Sequence, residues 1–180
     1  MLKRLTVLSI LLSLLGSPRA FAQIADTSAA SSCRGGYSST FTVNGTVQNT
    51  LSFDPQTLSA FTPQTSDTAD AEYTGALLWE IINQAGLANN SAIKNDADRK
   101  YVMVTGSKCQ QALFSIGELD PSVGGGPHQV IVAFKRAGHT LAHSAGFAEI
   151  VSPADKTNAR WITNITNIEV IEEVAGPSPG

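Results

Sequence analysis

The chain is short of charge, of basic residues, of aromatic rings and of cysteine. Only 15% of its 180 residues are Asp, Glu, Lys or Arg, 7% are aromatic, and Cys occurs twice. Twelve Lys and Arg against fifteen acids leave no basic cluster, which excludes nucleic acid as a partner, since phosphate binding needs cations grouped to release counterions. Beyond the N-terminus no apolar run is long enough to cross a bilayer. Gly124-Gly125-Gly126 has no Lys-Ser/Thr after it and so is a loop and not a phosphate-binding P-loop. No Gly-x-Ser-x-Gly elbow occurs, and no Ser-His-Asp set follows from spacing. There is no internal repeat.

What is present begins with a leader. Lys3-Arg4 is a basic n-region, Leu5–Leu15 an apolar h-region, and Ala20-Phe21-Ala22 a small-x-small cleavage site, so residues 1–22 are predicted to be a signal peptide. The expected destination is the periplasm or the exterior, with no membrane insertion after cleavage. The leader holds three basic residues and no acid, so the remainder carries nine bases against fifteen acids, a net charge of about −6. That remainder is long enough for one domain with a real core. Residues 23–36 read as a flexible lead-in, 37–172 as the domain, and 173–180, with two Pro and two Gly after Val174, as a frayed tail.

In an oxidising compartment Cys33 and Cys109 are expected to pair, and their polar neighbours place both in exposed loops. The alternative is a nucleophilic or metal-binding thiolate, which needs a His or cation placed to lower its pKa.

Hydrophobic periodicity predicts an α+β domain with more strand than helix. Phe41, Val43, Gly45 and Val47 alternate with polar residues as a half-buried strand does. Asp54-Pro55 is a cap and first-turn Pro opening a short helix to about residue 60. Residues 62–70 are polar and unpatterned. Helix signals start at Thr74, with Leu77, Leu78, Ile81, Ile82 and Ala85 on one stripe and Gly86 as the stop. Strands are expected at 101–105, 111–116, 130–134, 147–151 and 160–170, with a helical turn at 117–120.

Two local groups invite chemistry. His139 and His143 would share a helix face as metal ligands, but Gly138 and Gly146 bracket them and suggest a loop, and no third ligand is at hand. Pro153–Trp161 gathers Asp155, Lys156, Asn158, Arg160 and Trp161 before the last strand. An indole face, a carboxylate that accepts two N–H bonds and cations that meet oxygen atoms suit a flat polar heterocycle. The plainer alternative makes Trp161 a core anchor and pairs Arg160 with a surface acid.

Four segments in order carry a family resemblance: Val43–Val47 with Leu51–Asp54 and Leu58; Tyr73–Ile82 with Ala85–Leu87; Tyr101–Gly106 with Ala112–Asp120; and Ile150–Lys156 with Arg160-Trp161 and Ile168–Val170. Together they resemble the molybdopterin-binding domain of the sulfite oxidase superfamily, which implies a single sheet-rich α+β fold with the pterin site at one edge. Catalytic members carry a molybdenum-ligating Cys in the segment that is Phe61–Tyr73 here, and this segment has none. They tend also to carry a Lys three residues beyond the Arg, where this chain has Thr163. Molybdenum is therefore not expected.

The resemblance is then to short exported pterin-binding proteins that capture a pterin and signal to a membrane partner. It implies Trp161 stacking on a reduced pterin or a molybdopterin-like fragment, with Asp155 accepting from the ring's amino edge. Arg160 and Lys156 would bind oxygen, Thr163 and Asn164 would make side contacts, and Tyr73 and Ser115 would be walls. The expected partner is the periplasmic domain of a membrane signalling protein. Two alternatives stand beside it: a molybdopterin oxidoreductase with an atypical ligand set, and an interaction module that no longer binds pterin.

Overall fold

Phe41 and Val43 are buried while Thr42 and Asn44 are half-exposed, and this alternation forms strand β1 (Phe41–Gly45). A computed structural model of the chain describes residues 33–124, 126 and 129–172. The predicted signal peptide, residues 23–32 of the lead-in and the tail 173–180 lie outside the described residues. β2 (Leu51–Phe53) pairs with β1, and Asp54 then caps α1 (Pro55–Leu58). The Asp54 carboxylate accepts from Thr57 N at 2.8 Å and the Thr57 hydroxyl accepts from Asp54 N at 2.8 Å, closing both ends of the cap.

Two sheets follow. The first has the order β2-β1-β11-β5-β6, with β5 (Lys100–Gly106), β6 (Gln111–Ser115) and β11 (Ile165–Glu172). The first and last strands, β1 and β11, lie side by side and parallel, and the other pairs are antiparallel. Val43, Ile168, Val104 and Ala112 form one cross-strand row, buried on the inner face. The second sheet runs β10-β9-β7-β4-β3, with β3 (Gln64–Asp67), β4 (Glu72–Leu77), β7 (Ile131–Arg136), β9 (Glu149–Val151) and β10 (Ile162–Thr163). β8 (His139–Thr140) hairpins onto β7. Its inner row is Ala76, Val132, Ile150 and Ile162, all buried. The core lies where these two inner faces meet, joined by α2 (Leu78–Ala85) and by the rings of Phe41, Phe53 and Phe147.

The architecture is the α+β, strand-dominated one expected from sequence. Three local details differ. Thr74–Leu77 is strand and not the first turn of a helix, and α2 begins at Leu78 with its four buried residues on one stripe. A run this short and apolar fits either period, and pairing with β3 and β7 decides it. Residues 64–67, unpatterned in sequence, are an edge strand that needs only β4 as a partner. The strand expected at 160–170 breaks at Asn164, which sits at φ 52° between β10 and β11.

Cys33 and Cys109 are joined in a disulfide across 76 residues, with Cα atoms 5.1 Å apart. It ties the lead-in to the β5–β6 turn, where Gly35 N also donates to Ser107 O at 3.0 Å. Among the described residues no helix is long and apolar enough to cross a membrane.

Candidate functional site

Several of the residues singled out from sequence lie at or beside the second sheet's outer face. Strand parity turns Tyr73, Leu77, Ile131, Ala133 and Val151 away from the main core, and with Leu141 and Trp161 they form a smaller apolar cluster of their own. Of the clefts that border it, two hold acidic side chains.

The larger, about 500 Å³, lies between the β3–β4 turn and the segment after β9. Asp67, Thr68, Ala69 and Asp70 form one side; Pro153, Asp155, Lys156, Thr157, Asn158 and Trp161 form the other. Trp161 is half-buried, its Nε1 donates to Ser152 O at 3.2 Å, and its ring meets Tyr73 edge to face at 5.4 Å. Asp155 is gripped by Arg160, with Nη2 on Oδ1 at 2.6 Å and Nε on Oδ2 at 2.9 Å. These hydrogen bonds hold the Asp155 carboxyl below its ordinary pKa, against the opposing effect of burial.

Arg160 is the hub of a wider set of contacts. Its Nη1 donates to Glu118 Oε1 at 2.8 Å and to Leu113 O at 3.1 Å, and its guanidinium lies 4.6 Å over the Phe114 ring. It thereby ties the segment after β9 to β6 and to α3 (Ile116–Leu119) of the other sheet. Ser115 caps α3: its Oγ accepts from Glu118 N at 3.1 Å, and the Glu118 carboxylate accepts from Ser115 N at 3.1 Å. The cap leaves Glu118 Oε1 aimed at Arg160.

The smaller cleft, about 230 Å³, is lined by Tyr73, Arg136, Leu141, Ala142, Ser144, Ala145, Glu149 and Thr163. Arg136 pairs with Asp70 at 2.7 Å and lies 5.6 Å over the Tyr73 ring, so this ion pair and the Tyr73–Trp161 contact both run from one cleft to the other. Glu149 is only 7% exposed, and burial pushes its carboxyl up to about 7 even though Arg136 acts in the opposite sense.

Of the residues singled out from sequence, Trp161, Asp155 and Lys156 share the larger cleft. Arg160 does not line it and acts on Asp155 instead. Tyr73 backs Trp161 and lines the smaller cleft, as does Thr163. Asn164 is buried elsewhere: its Oδ1 accepts from Ser38 N at 3.2 Å and its Nδ2 donates to Ser144 O at 2.6 Å. Ser115 belongs to the α3 cap. His139 lies in β8 and His143 opens a 3-10 turn, so the two do not share a helix face, and His143 stacks on Tyr37 at 4.7 Å. Sequence reasoning passed over Glu149, Arg136 and Asp70. An acid between Ala148 and Ile150, inside an apolar strand, was the available signal.

The donor set bears on metal as well. Both cysteines of the chain are consumed in the disulfide, and the 61–73 segment offers amide, hydroxyl and carboxylate oxygens but no sulfur. A molybdenum centre that needs a protein thiolate does not fit these residues.

No family model matches the chain, and no curated protein does. Among solved structures the fold is similar to that of the sulfane dehydrogenase SoxCD from Paracoccus pantotrophus, with a TM-score of 0.59 at 17% identity. The likeness covers 76% of this chain but 39% of that one, so this chain spans about two-fifths of the length of the protein it matches. At that identity the likeness is one of fold: the strand-dominated α+β domain described above is a distant relative in architecture of part of that enzyme.

Proposed function

We propose that this is an exported protein that binds a reduced pterin, or a related cofactor fragment, in the Trp161 cleft, for capture or sensing and not for turnover. The observation that carries the reading is the convergence of Trp161, Asp155 and Lys156 on one cleft of about 500 Å³. A bicyclic ring needs a face to stack on, an acceptor for its amino and N–H edge, and a donor for its oxo group. Trp161 offers the face and Lys156 the donor. Asp155 keeps lone pairs beyond the two that Arg160 occupies, and the Arg160 fork holds them in a fixed direction. Arg160 is thus a positioning residue in this reading, and Thr68 and Asn158 supply further polar wall. The resemblance of the four segments to the sulfite oxidase superfamily, and a fold like part of a sulfane dehydrogenase, support a pterin over other heterocycles. The disulfide agrees with export. A periplasmic domain of a membrane signalling protein would be the partner that reads the bound state.

The test is an anaerobic titration of the mature chain with tetrahydropterin, followed by calorimetry on wild type, Trp161→Ala and Trp161→Phe, with Trp161 fluorescence as a second readout on wild type. Loss of at least tenfold in affinity in Trp161→Ala, with partial recovery in Trp161→Phe, is expected from the loss of one stacked ring. Unchanged affinity in a folded Trp161→Ala protein would sink the assignment.

A further inference from the structure

Glu149 has no role in that reading, yet it is a carboxylate only 7% exposed on an otherwise apolar strand. Register sets it on the outer face in a row of Thr163, Glu149, Ala133 and Gly75, while Ile150 beside it faces the core. The row is small next to Glu149, and it cannot be larger at Gly75, where a Cβ would sit 2.3 Å from Val132 O and 2.6 Å from Ala133 Cα. Over the row passes the segment Leu141–Ala145, leaving the cavity of about 230 Å³ between them.

Glu149 lines that cavity; no described residue donates to its carboxylate, and its oxygens are not among the fully buried atoms without a partner, so they open into that space. The groups around it come from every neighbouring element. Arg136 of β7 is half-exposed at the mouth and held by Asp70 of the β3–β4 turn, Tyr73 of β4 forms a wall, and Ser144 and Thr163 contribute hydroxyls. His143, next to Ser144, is turned away onto Tyr37. A carboxylate 7% exposed that no side chain of the fold satisfies, facing an open space, is available to a donor from outside the chain.

We propose that the Glu149 cavity is a binding site for a small planar group with two adjacent N–H donors, such as an amidine or a 2-aminopyrimidine edge. Two parallel N–H bonds fill the carboxylate's two oxygens as an arginine fork does. The flat Tyr73 wall and the alanine-lined roof fit a planar ligand of pyrimidine size. The site is separate from the Trp161 cleft and does not depend on what that cleft binds. Because the ionised carboxylate is the acceptor, protonation competes with the ligand.

The experiment is a titration of the mature wild-type chain with acetamidine hydrochloride and, separately, with isocytosine, followed by backbone amide NMR at about pH 8 and about pH 6. Acetamidine carries the donor pair with charge and isocytosine without it, so the two arms show which form the cavity takes. Saturable shifts at residues 73–75, 133–136, 141–145 and 149 that Glu149→Gln abolishes are expected with at least one probe, distinct from any at residues 67–70 and 155–161, where the same donor pair meets Asp155. Affinity should fall about tenfold from the higher pH to the lower, as a group titrating at about 7 takes up its proton. Glu149→Gln should lose tenfold or more at the higher pH. No saturable binding of either probe to wild type overturns the proposal, and so does binding unchanged in folded Glu149→Gln. Should that variant not fold, the wild-type pH dependence decides alone, and a flat affinity between the two pH values overturns it.

Discussion

Arg160 and Asp155, five residues apart in one surface segment, meet as a planar fork and a carboxylate through two hydrogen bonds of 2.6 and 2.9 Å. The same guanidinium reaches Glu118, Leu113 O and the Phe114 ring, so one side chain joins the segment after β9 to the opposite sheet. Arg160→Lys keeps the charge but loses the fork and the stacking plane. It is expected to cost about 1–3 kcal/mol in urea unfolding at neutral pH, the lower end reflecting solvent screening at a site one-third exposed. Asp155 titrates below its unfolded value in the folded chain, so its contribution is present above about pH 4 and lost as pH falls through the folded value. The Arg160→Lys cost should therefore shrink on acidification, and a cost unchanged down to pH 3 would show that the pair contributes nothing through charge.

The Cys33–Cys109 disulfide closes 76 residues and anchors a lead-in that otherwise holds on through a few turns. On the chain-entropy account a loop of that length stabilises the fold by about 4 kcal/mol, with a range of about 2–5 for native bridges. Unfolding curves with and without reductant should separate by that amount. A Cys33→Ser/Cys109→Ser chain should match the reduced protein, while the Trp161 cleft, built from β3–β4 and the segment after β9, keeps its ligand.

Asn164 does two things at once: it adopts a left-handed backbone, and its amide ties Ser38 to Ser144. Asn164→Gly loses only the side-chain bonds, whereas Asn164→Ala loses them and also pays for the positive φ. The alanine variant is expected to be less stable than the glycine variant by about 1 kcal/mol, read from their urea midpoints at equal slope. Equal midpoints would mean that the β10–β11 junction relaxes out of the left-handed region when the amide is gone.

How much of this was legible in the chain depends on how local each determinant is. The α2 stripe with Gly86, the Asp54 cap, and β5 and β6 around Gly106-Ser107 rest on residues within a few positions of one another, and they stand as expected. Gln64–Asp67 has no apolar residue at all, so its strand character comes entirely from β4. The segment holding Trp161, Asp155 and Lys156 was visible as a concentration of suitable side chains, but the Asp67–Asp70 wall opposite it was not, because that contact spans about ninety residues of chain. Arg160 illustrates the limit from the other side. Its residue type fits both a ligand contact and an ion pair, and only the positions of Glu118 and Phe114 decide for the latter. Glu149 was passed over: its only sequence signal is an acid in an apolar strand, and its burial depends on the Leu141–Ala145 segment lying over it.

That burial has its own consequence for stability, opposite in sign to Asp155. Glu149 titrates at about 7 in the folded chain against 4.5 for the ordinary side chain, with burial the main cause. Below about pH 4.5 the group is neutral in both states and has no effect. Between that value and 7 the unfolded chain releases the proton while the folded chain retains it, so stability falls as pH rises, and above 7 the loss is constant. Wild type should therefore lose about 2–3 kcal/mol between pH 4.5 and pH 8 relative to Glu149→Gln, which cannot ionise. Urea midpoints of the two proteins across that range measure it directly. Curves that run parallel would mean that Glu149 reaches solvent or a donor in the folded protein. A donor-bearing ligand in the cavity should flatten the wild-type curve at high pH by stabilising the ionised form.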